Sequence, residues 1–353
     1  MASITKSPTG GYRVQWREDG SRKQRRFKTA AEAKKFAASL ELTPIQKRST
    51  ITVADLIDEY RNTETVDKRG SREEYFRMGR LMQRPFAQKT LAEITSMDIE
   101  QYLKERRKEP SCKYNRTISS TTLIRELSAL SVVFSYAIRR GLMEKNPVAN
   151  VKRPKPEPHR ERVATDEDIE KLMVVAQWDG KSPIVTEMQL VLCLFLLGCR
   201  TGMRSGEMLQ IKRSWIEDCV IHLPREATKT ALRRDVALCS EARAYLDLIL
   251  ALGYEPRIVG DLTDAQRDGL WRKLRDRAKL YAEQDCDGIV LKEGLNFHDS
   301  RATFATWAAS PDPNTGVPRL DVLALARQTG HTDLKMLQRY YRATAKDVAK
   351  RLG

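Results

Sequence analysis

Apolar and polar residues alternate strictly near the start of the chain, which predicts a β-strand. Residues 12–17 (YRVQWR) place apolar side chains on one strand face and polar side chains on the other. Asp19-Gly20, a pair typical of tight hairpin turns, leads into a basic return strand from Arg22 to Lys28, in which Phe27 marks the buried side. Capping-box spacing at Thr29 then predicts a covering helix.

The opposite face of this hairpin carries basic and amide side chains, a set that suits a DNA groove. A charge run is more often a solvated surface, and that alternative stays open. We predict that this face contacts DNA. The candidate contacts are Arg13, Gln15, Arg17, Arg22, Gln24, Arg26 and Lys28.

Residues 51–151 follow a helical period, with apolar residues three and four positions apart. Glu74 lies at capping-box spacing from Ser71, and the last helix of the segment is expected to end at Gly141. Basic clusters at 106–108 and 139–140 are either phosphate contacts or solvated helix ends. The predicted helices start at Thr52, Ser71, Ser96 and near Ser120.

A basic, proline-rich segment, residues 152–162, separates these helices from the rest of the chain. Prolines at every second position exclude a helix and favour an extended spacer. Arg153 and Lys155 are further candidate DNA contacts, because a strap between two DNA-clamping domains can follow the phosphate backbone.

Helices predominate from residue 163 onward, with one predicted hairpin. Thr165 caps the first helix, and Thr186 to Leu197 form a buried one. Ile216 to Leu223 and Arg233 to Leu238 are predicted strands joined by a polar turn. Helical patterns then continue to the end of the chain, where Ala343 to Leu352 is expected to dock on a neighbouring copy.

Together these elements predict a multidomain α+β protein. It has a small N-terminal sheet with a helix, an all-helical domain, and a mainly helical domain containing a small antiparallel hairpin. The predicted units are residues 1–50, residues 51–151, a linker at 152–162, and residues 163–353.

The chain has 353 residues and a formal net charge of +16, which favours a polyanionic partner. Residues 1–50 carry 12 Lys and Arg against 4 Asp and Glu, and residues 51–160 carry 22 against 15. The remainder carries 29 against 28 and is almost neutral. Because the excess lies before residue 161, the first two units are expected to hold nucleic acid.

Several function classes lack support. The longest apolar run, Leu190 to Cys199, has ten residues, too few to span a membrane, and no secretion signal is recognisable. The six cysteines form no C-x-x-C pair and only four histidines accompany them, so we expect no metal site and reduced thiols. These features predict a soluble cytoplasmic protein.

Five short motifs in the last unit carry groups suited to phosphoryl chemistry. None is specific alone, because H-x-x-R is common by chance and an Arg with an acid three positions on is usually a surface ion pair. The motifs are Thr201 to Glu207, which includes Arg204; Thr228-Lys229-Thr230; His298 to Arg301; Gly330-His331; and Arg339-Tyr340-Tyr341.

In this order and spacing, the motifs resemble the tyrosine recombinase (phage integrase) family of the arm-binding type. The family pattern is Arg, Lys, His-x-x-Arg, Gly-His and a Tyr nine positions after that His, which here is Tyr340. Ser300 and Ala302 stand where Leu and His are more usual, and neither change touches a catalytic group. The resemblance covers the whole chain and implies an arm-type DNA-binding domain, a core-binding domain and a catalytic domain, in that order.

The resemblance implies that Tyr340 is the nucleophile, His298 its base and Lys229 the general acid at the departing 5′ oxygen. Chemistry agrees, since only about one tyrosine in a thousand is ionised at neutral pH and attack therefore needs a base or a stabilised phenolate. The planar forks of Arg204 and Arg301 suit non-bridging phosphate oxygens. The implied catalytic residues are Arg204, Lys229, His298, Arg301, His331 and Tyr340.

Some assignments keep alternatives. Tyr341 is the other candidate nucleophile, because one tyrosine of this pair belongs to the core. No local motif fixes the register of Lys229, and Glu207 more plausibly orients Arg204 than reacts. In the second predicted strand, the candidate DNA contacts are Arg233 and Arg234.

The predicted function is site-specific recombination, in which DNA strands are cut and rejoined through a 3′-phosphotyrosyl bond to integrate or excise a mobile element or phage genome. The alternatives are a type IB topoisomerase, which reseals the same strand, and a non-catalytic DNA-binding regulator. No cofactor is expected, since the covalent link stores the bond energy. The implied partners are double-stranded DNA with core-type and arm-type sites, further copies of the chain in a tetramer, and host DNA-bending and excision proteins.

Overall fold

The computed structural model divides the chain into two compact units, Met1–Pro158 and His159–Gly353. Within them the structure describes residues 3–6, 10–18, 21–34, 37, 50–66, 68, 70–111, 117–157, 162–284, 290–292 and 294–341.

An antiparallel three-stranded sheet opens the first unit, with the strand order β1-β2-β3. Glu18 pairs with Ser21, so a two-residue loop links β2 to β3 as the sequence predicts. The loop itself, Asp19-Gly20, lies outside the described residues. The strands are β1 (Ser3–Lys6), β2 (Tyr12–Glu18) and β3 (Ser21–Phe27).

The two faces of this sheet divide as the alternation predicts. Val14 on the sheet and Ala33 on the following helical segment are fully buried in the same hydrophobic cluster. Reciprocal hydrogen bonds between Thr29 and Glu32 form the predicted capping box. On the other face polar positions oppose one another across the hairpin. These pairs are Arg13 with Arg26, Gln15 with Gln24, and Arg17 with Arg22.

Among the described residues from 50 to 157, four α-helices pack around an apolar core. Thr52, Thr95 and Ser119 are the N-caps of the first, third and fourth, within a residue of the predicted starts. The long fourth helix ends just before Gly141, also as predicted. The helices are α1 (Val53–Thr63), α2 (Ser71–Met82), α3 (Ser96–Arg106) and α4 (Ser120–Arg139).

The capping box predicted at Ser71 is wrong. Gly70, in the left-handed conformation, is the N-cap of α2, and Ser71 is already inside the helix. Glu74 instead accepts a hydrogen bond from Lys68 Nζ at 2.8 Å. The carboxylate therefore ties the preceding loop to the helix rather than capping it.

The basic cluster at 106–108 begins in the core rather than at a solvated helix end. Arg106 is 9% exposed, and its guanidinium donates to Glu126 at 3.0 Å and to Glu109 at 2.6 Å. The Tyr102 hydroxyl donates to Glu126 at 2.7 Å. This network joins α3 to α4, so Arg106 is a structural cation and not a phosphate contact.

In the described part of the chain, α4 is the one helix long and apolar enough to cross a membrane by length and composition. Its apolar stripe, which includes Leu123, Leu127 and Leu130, is fully buried in the core of the first unit. Burial of this stripe against α1 and α2 is typical of a core helix.

The second unit is built around α6, whose residues 190–199 are all buried. Helices α5, α8, α9 and α10 pack around it. Thr165 and Thr186 form capping boxes at the starts of α5 and α6, at the predicted positions. The helices are α5 (Asp166–Ala176), α6 (Glu187–Thr201), α7 (Ser205–Met208), α8 (Ser240–Leu250), α9 (Asp264–Arg277), α10 (Asp299–Ala309), α11 (Val322–Thr329) and α12 (Lys335–Gln338).

The strand predicted from Ile216 to Leu223 folds back on itself. Asp218 adopts φ 45°, a left-handed conformation that Asp tolerates, and the chain reverses there in a tight turn. The result is an antiparallel sheet of three strands in the order β4-β5-β6. These are β4 (Ile216–Glu217), β5 (Val220–Leu223) and β6 (Arg234–Ala237).

A short strand pair interrupts the run predicted to be entirely helical. β7 (Glu283–Gln284) pairs antiparallel with β8 (Val290–Lys292). The predicted α+β class is confirmed, with helices predominating in both units and sheets of three, three and two strands in the described residues. The predicted tail helix from Ala343 to Leu352 lies outside the described residues.

Candidate active site

Two helices of the second unit end in left-handed glycines that bring polar residues together. Gly202 (φ 66°) follows α6, and Gly330 (φ 69°) follows α11. A Cβ atom at Gly202 would collide with the Thr329 side chain, and one at Gly330 with the Arg234 guanidinium. Both turns therefore require glycine, and they set the positions of the residues that follow.

Arg204 is oriented by bonds at both ends of its fork. Its Nη1 donates to Glu207 Oε1 at 3.0 Å, and its Nη2 donates to the Gly330 carbonyl oxygen at 3.2 Å. The Arg204 backbone N–H donates to Glu207 Oε2 at 2.9 Å. Because the Arg204 side chain remains 20% exposed, it is held in place and still open to a ligand.

Arg234 does not lie on the surface where a DNA contact was expected. It is 9% exposed, its Nη2 donates to Glu207 Oε2 at 2.7 Å, and its Nη1 donates to the Thr329 carbonyl oxygen at 2.9 Å. Glu207, itself 2% exposed, is therefore one carboxylate shared by two guanidinium groups. Burial keeps Arg234 from DNA, and its bonds tie β6 to α7 and α11.

Arg301, in the first turn of α10, is 6% exposed. Its Nη1 donates to the Gly202 carbonyl oxygen at 2.6 Å, and its Nη2 lies 3.2 Å from His331 Nε2. Burial is the main cause that lowers the pKa of Arg301 to about 9, and the positive charges of Arg204 and Arg234 are the next causes. The group stays cationic at neutral pH, and α6 and α11 are joined through it.

His331 directly follows the Gly330 turn and is partly buried. Its Nδ1 lies 2.7 Å from Thr329 Oγ1. Burial, followed by the charges of Arg301 and Arg204, lowers the pKa of His331 to about 4. The imidazole is therefore neutral at physiological pH.

His298 and Lys229 occupy more exposed positions. His298 immediately precedes α10, and its ring reaches solvent. Desolvation by its neighbours, followed by the charges of Arg301, Arg204 and Lys229, lowers the pKa of His298. Lys229 is exposed on the loop that joins β5 to β6. The structure thus gathers the residues of four separate sequence motifs.

The two adjacent tyrosines have different surroundings. The Tyr341 hydroxyl donates to the Leu320 carbonyl oxygen at 2.9 Å, and burial followed by the charge of Asp321 raises the pKa of Tyr341 to about 12. The Tyr340 hydroxyl accepts from Arg339 Nη2 at 3.1 Å, and that guanidinium also lies over the Tyr340 ring. The Tyr341 hydroxyl is therefore hydrogen-bonded to the backbone, whereas the Tyr340 hydroxyl is hydrogen-bonded to a guanidinium group.

The other predicted DNA contacts are mainly exposed. Arg153 and Lys155 are exposed in the segment after the first unit's helices, and Arg233 is exposed on the loop before β6. On the N-terminal sheet Gln24, Arg26 and Lys28 are exposed, and Arg13 and Gln15 are partly exposed. The side chains of Arg17 and Arg22 are outside the described set.

Three residues at the site were not identified from the sequence in their present roles. Arg234 was predicted at the surface, while Thr329 and Arg339 were assigned no function. The only sequence signal is adjacency, because Thr329 precedes Gly330-His331 and Arg339 precedes Tyr340. Among the described residues, no group of three or more His, Cys, Asp or Glu side chains is arranged to hold a metal ion.

The cluster combines a tyrosine hydroxyl with fixed cations. Arg204 and Arg301 present guanidinium groups of defined orientation, and the Tyr340 phenol lies within electrostatic range of Arg301. Preorganised donors of this kind stabilise negative charge that develops on oxygen atoms during attack by a hydroxyl. The arrangement therefore suits a reaction at an anionic ester.

Comparison with known proteins matches residues 162–347 to the phage integrase family and residues 57–141 to the phage integrase N-terminal SAM-like domain. An integrase/recombinase of Haemophilus influenzae is 31% identical, with 97% of this chain and 87% of that protein covered. The shufflon-specific DNA recombinase of Escherichia coli is 28% identical over 88% of this chain and 73% of its own length.

A solved structure has a similar fold. A lambda integrase tetramer bound to a Holliday junction matches with a TM-score of 0.61 at 17% identity. The match covers 96% of this chain and 94% of that one.

Proposed function

The chain belongs to the phage integrase family and is a site-specific DNA recombinase, and we propose that it exchanges strands through a bond between Tyr340 and a DNA phosphate. The observation that carries this proposal is the convergence of Arg204, Arg301 and His331 on the two glycine turns, with the Tyr340 phenol within electrostatic range of Arg301.

The choice of Tyr340 over Tyr341 is supported by their hydrogen bonds. The Tyr341 hydroxyl donates a hydrogen bond to the Leu320 carbonyl oxygen, and its pKa is raised. Ionisation of Tyr341 would therefore break this hydrogen bond. The Tyr340 hydroxyl oxygen accepts a hydrogen bond from the cationic Arg339 and is not bound to a backbone carbonyl in the described residues. Only Tyr340 of the pair has an environment suited to attack.

In the proposed reaction, the Tyr340 oxygen bonds to phosphorus while the bond from phosphorus to the 5′ oxygen breaks. The tyrosine proton goes to His298, whose lowered pKa leaves a neutral ring able to accept it. Lys229 gives a proton to the departing 5′ oxygen. Arg204 and Arg301 bind the non-bridging oxygens, and each well-placed donor contributes about 3–4 kcal/mol to lowering the barrier. A 5′ hydroxyl from the partner strand reverses these steps.

We assign DNA binding to the more basic part of the chain. Residues 1–50 would bind arm-type sites through the polar face of the sheet, residues 51–151 core-type sites, and residues 152–162 the backbone between them, with residues 163–353 catalytic. The excess of 34 Lys and Arg over 19 Asp and Glu before residue 161 supports this division. We further propose a tetramer on DNA, assisted by DNA-bending and excision proteins, in the cytoplasm of a bacterial host at the nucleoid.

The test needs a core site, which repeated selection of bound duplexes from a randomised pool supplies. A copy nicked close to the cleavage position traps the covalent intermediate, because the short fragment bearing the 5′ hydroxyl diffuses away. We expect wild type and Tyr341→Phe to form a protein–DNA adduct and Tyr340→Phe to form none while binding equally well. An adduct that persists in Tyr340→Phe, or is absent from wild type, overturns the proposal.

Two product assays separate the related activities. Two intact duplexes carrying the site should exchange strands, whereas relaxation of supercoils without exchange indicates a topoisomerase. Binding without any adduct indicates a regulator.

A further inference from the structure

Thr329 Oγ1 has one proton and two polar neighbours. The Leu325 carbonyl oxygen lies 2.6 Å away, and His331 Nδ1 lies 2.7 Å away. A carbonyl oxygen only accepts, so an oxygen–oxygen contact this short requires the hydroxyl proton between the two atoms. The proton in the second contact must therefore come from His331 Nδ1.

A proton on Nδ1 of a neutral imidazole fixes the protonation state of the other ring nitrogen, Nε2. The neutral imidazole then has its lone pair on Nε2, which can only accept a hydrogen bond. Arg301 Nη2 lies 3.3 Å from Nδ1 and 3.2 Å from Nε2, and a guanidinium group only donates. A donor almost equally far from both ring nitrogens lies over the face of the ring and not in line with either lone pair, so the guanidinium group packs on the face of the neutral imidazole.

The surroundings leave Thr329 no other choice of partner. It is fully buried, so no solvent competes for its hydroxyl, and its own carbonyl oxygen is held by Arg234 Nη1. Gly202 approaches so closely that a Cβ there would collide with the Thr329 methyl group. The hydroxyl is thus fixed in place by α11, β6 and the turn after α6.

We infer that Thr329 is a positioning residue that holds the His331 ring in place in the Nδ1–H tautomer and thereby supports the Arg301 guanidinium, which packs on the ring face. In the opposite tautomer the unprotonated Nδ1 would face the Thr329 oxygen with no proton between them, because that hydroxyl donates to the Leu325 carbonyl oxygen. The ring would be displaced from Thr329, and Arg301 would lose the ring face on which it packs. The consequence for catalysis rests on the proposed function, in which Arg301 binds the reacting phosphate, but the tautomer itself does not.

Nitrogen NMR of the full chain labelled only at histidine reads the tautomer directly. The chain has four histidines, and His331→Gln identifies the signals of His331. At pH 7 we expect Nδ1 to be protonated and Nε2 unprotonated in the free wild type. A wild-type spectrum with Nε2 protonated overturns the inference without any variant and whatever the enzyme's activity.

Two variants test the role of the hydroxyl. Thr329→Val keeps the shape and removes the proton acceptor, whereas Thr329→Ser keeps it. We expect Val to mix the tautomers and to slow adduct formation about 10-fold, the effect of one lost hydrogen bond, and Ser to restore both. Unchanged His331 signals in a folded Thr329→Val protein contradict the inference. Wild-type failure to form any adduct, with the expected tautomer present, contradicts the proposed function instead.

Discussion

The shared carboxylate of Glu207 permits a sharp prediction. Glu207 is 2% exposed and accepts from the guanidinium groups of Arg204 and Arg234. Glu207→Gln keeps the size of the side chain and removes its charge. An amide nitrogen then faces donors, and at least one guanidinium group is left without its anion. Breaking a buried ion pair in this way costs about 3–5 kcal/mol.

This cost is a large part of the stability of a domain, which is about 5–15 kcal/mol. Urea denaturation followed by tryptophan fluorescence measures it, because four of the five tryptophans lie in the second unit. Glu226→Gln, at an exposed acid on the loop between β5 and β6, is the matched control and should change stability by less than about 0.5 kcal/mol.

A double-mutant cycle identifies the cause. If Glu207 acts mainly by neutralising Arg234, then Arg234→Met should cancel much of the effect of Glu207→Gln, with a coupling of about 2 kcal/mol. Adduct formation should fall even where the protein is folded, because Arg204 loses the partner that orients it. Additive effects on stability, or a Glu207→Gln protein as stable as the Glu226→Gln control, would refute the reasoning.

Three further predictions concern single groups. Glu126→Gln removes the buried one of the two carboxylates that pair with Arg106, leaves only Glu109, and should lower the stability of the first unit by about 2–3 kcal/mol, measured by urea titration with circular dichroism. Arg339→Gln removes the cationic donor at the Tyr340 hydroxyl and should slow adduct formation at pH 7 about 10-fold. The native state holds the pKa of His331 near 4, below its usual 6.5, so it binds fewer protons than the unfolded state and loses stability as pH falls from 6.5 to 4. His331→Gln should reduce that loss in urea titrations at the two pH values.

Local patterns predicted most elements because their signals are local. Alternation gave β2 and β3, and threonine or serine caps located α1, α5 and α6 to within a residue. The prediction of one strand over residues 216–223 was wrong because no glycine or proline marks the turn at Asp218, and only the backbone shows the left-handed conformation there.

Side chains at the site were harder to assign because burial is not a local property. Arg233 and Arg234 are neighbours on one strand edge, but one is exposed and the other holds Glu207 in the interior. Thr329 gave no signal, since its role depends on one buried hydroxyl that donates to a helix carbonyl and accepts from a histidine. Motif spacing identified the site residues themselves. It could not identify the buried residues, such as Arg234 and Thr329, whose hydrogen bonds position them.

The same cations that would bind the phosphate also affect the pKa values of the two histidines at the site, His298 and His331. Burial first, and then the charges of Arg301 and Arg204, lower the pKa values of both His298 and His331, so both rings are neutral before DNA binds. A neutral His298 can take the tyrosine proton, and the neutral His331 ring can pack against the Arg301 guanidinium. An arriving phosphate brings negative charge that raises both pKa values, so proton transfer to His298 becomes easier only when substrate is in place. The site is therefore expected to acquire its basicity from the DNA that it cleaves.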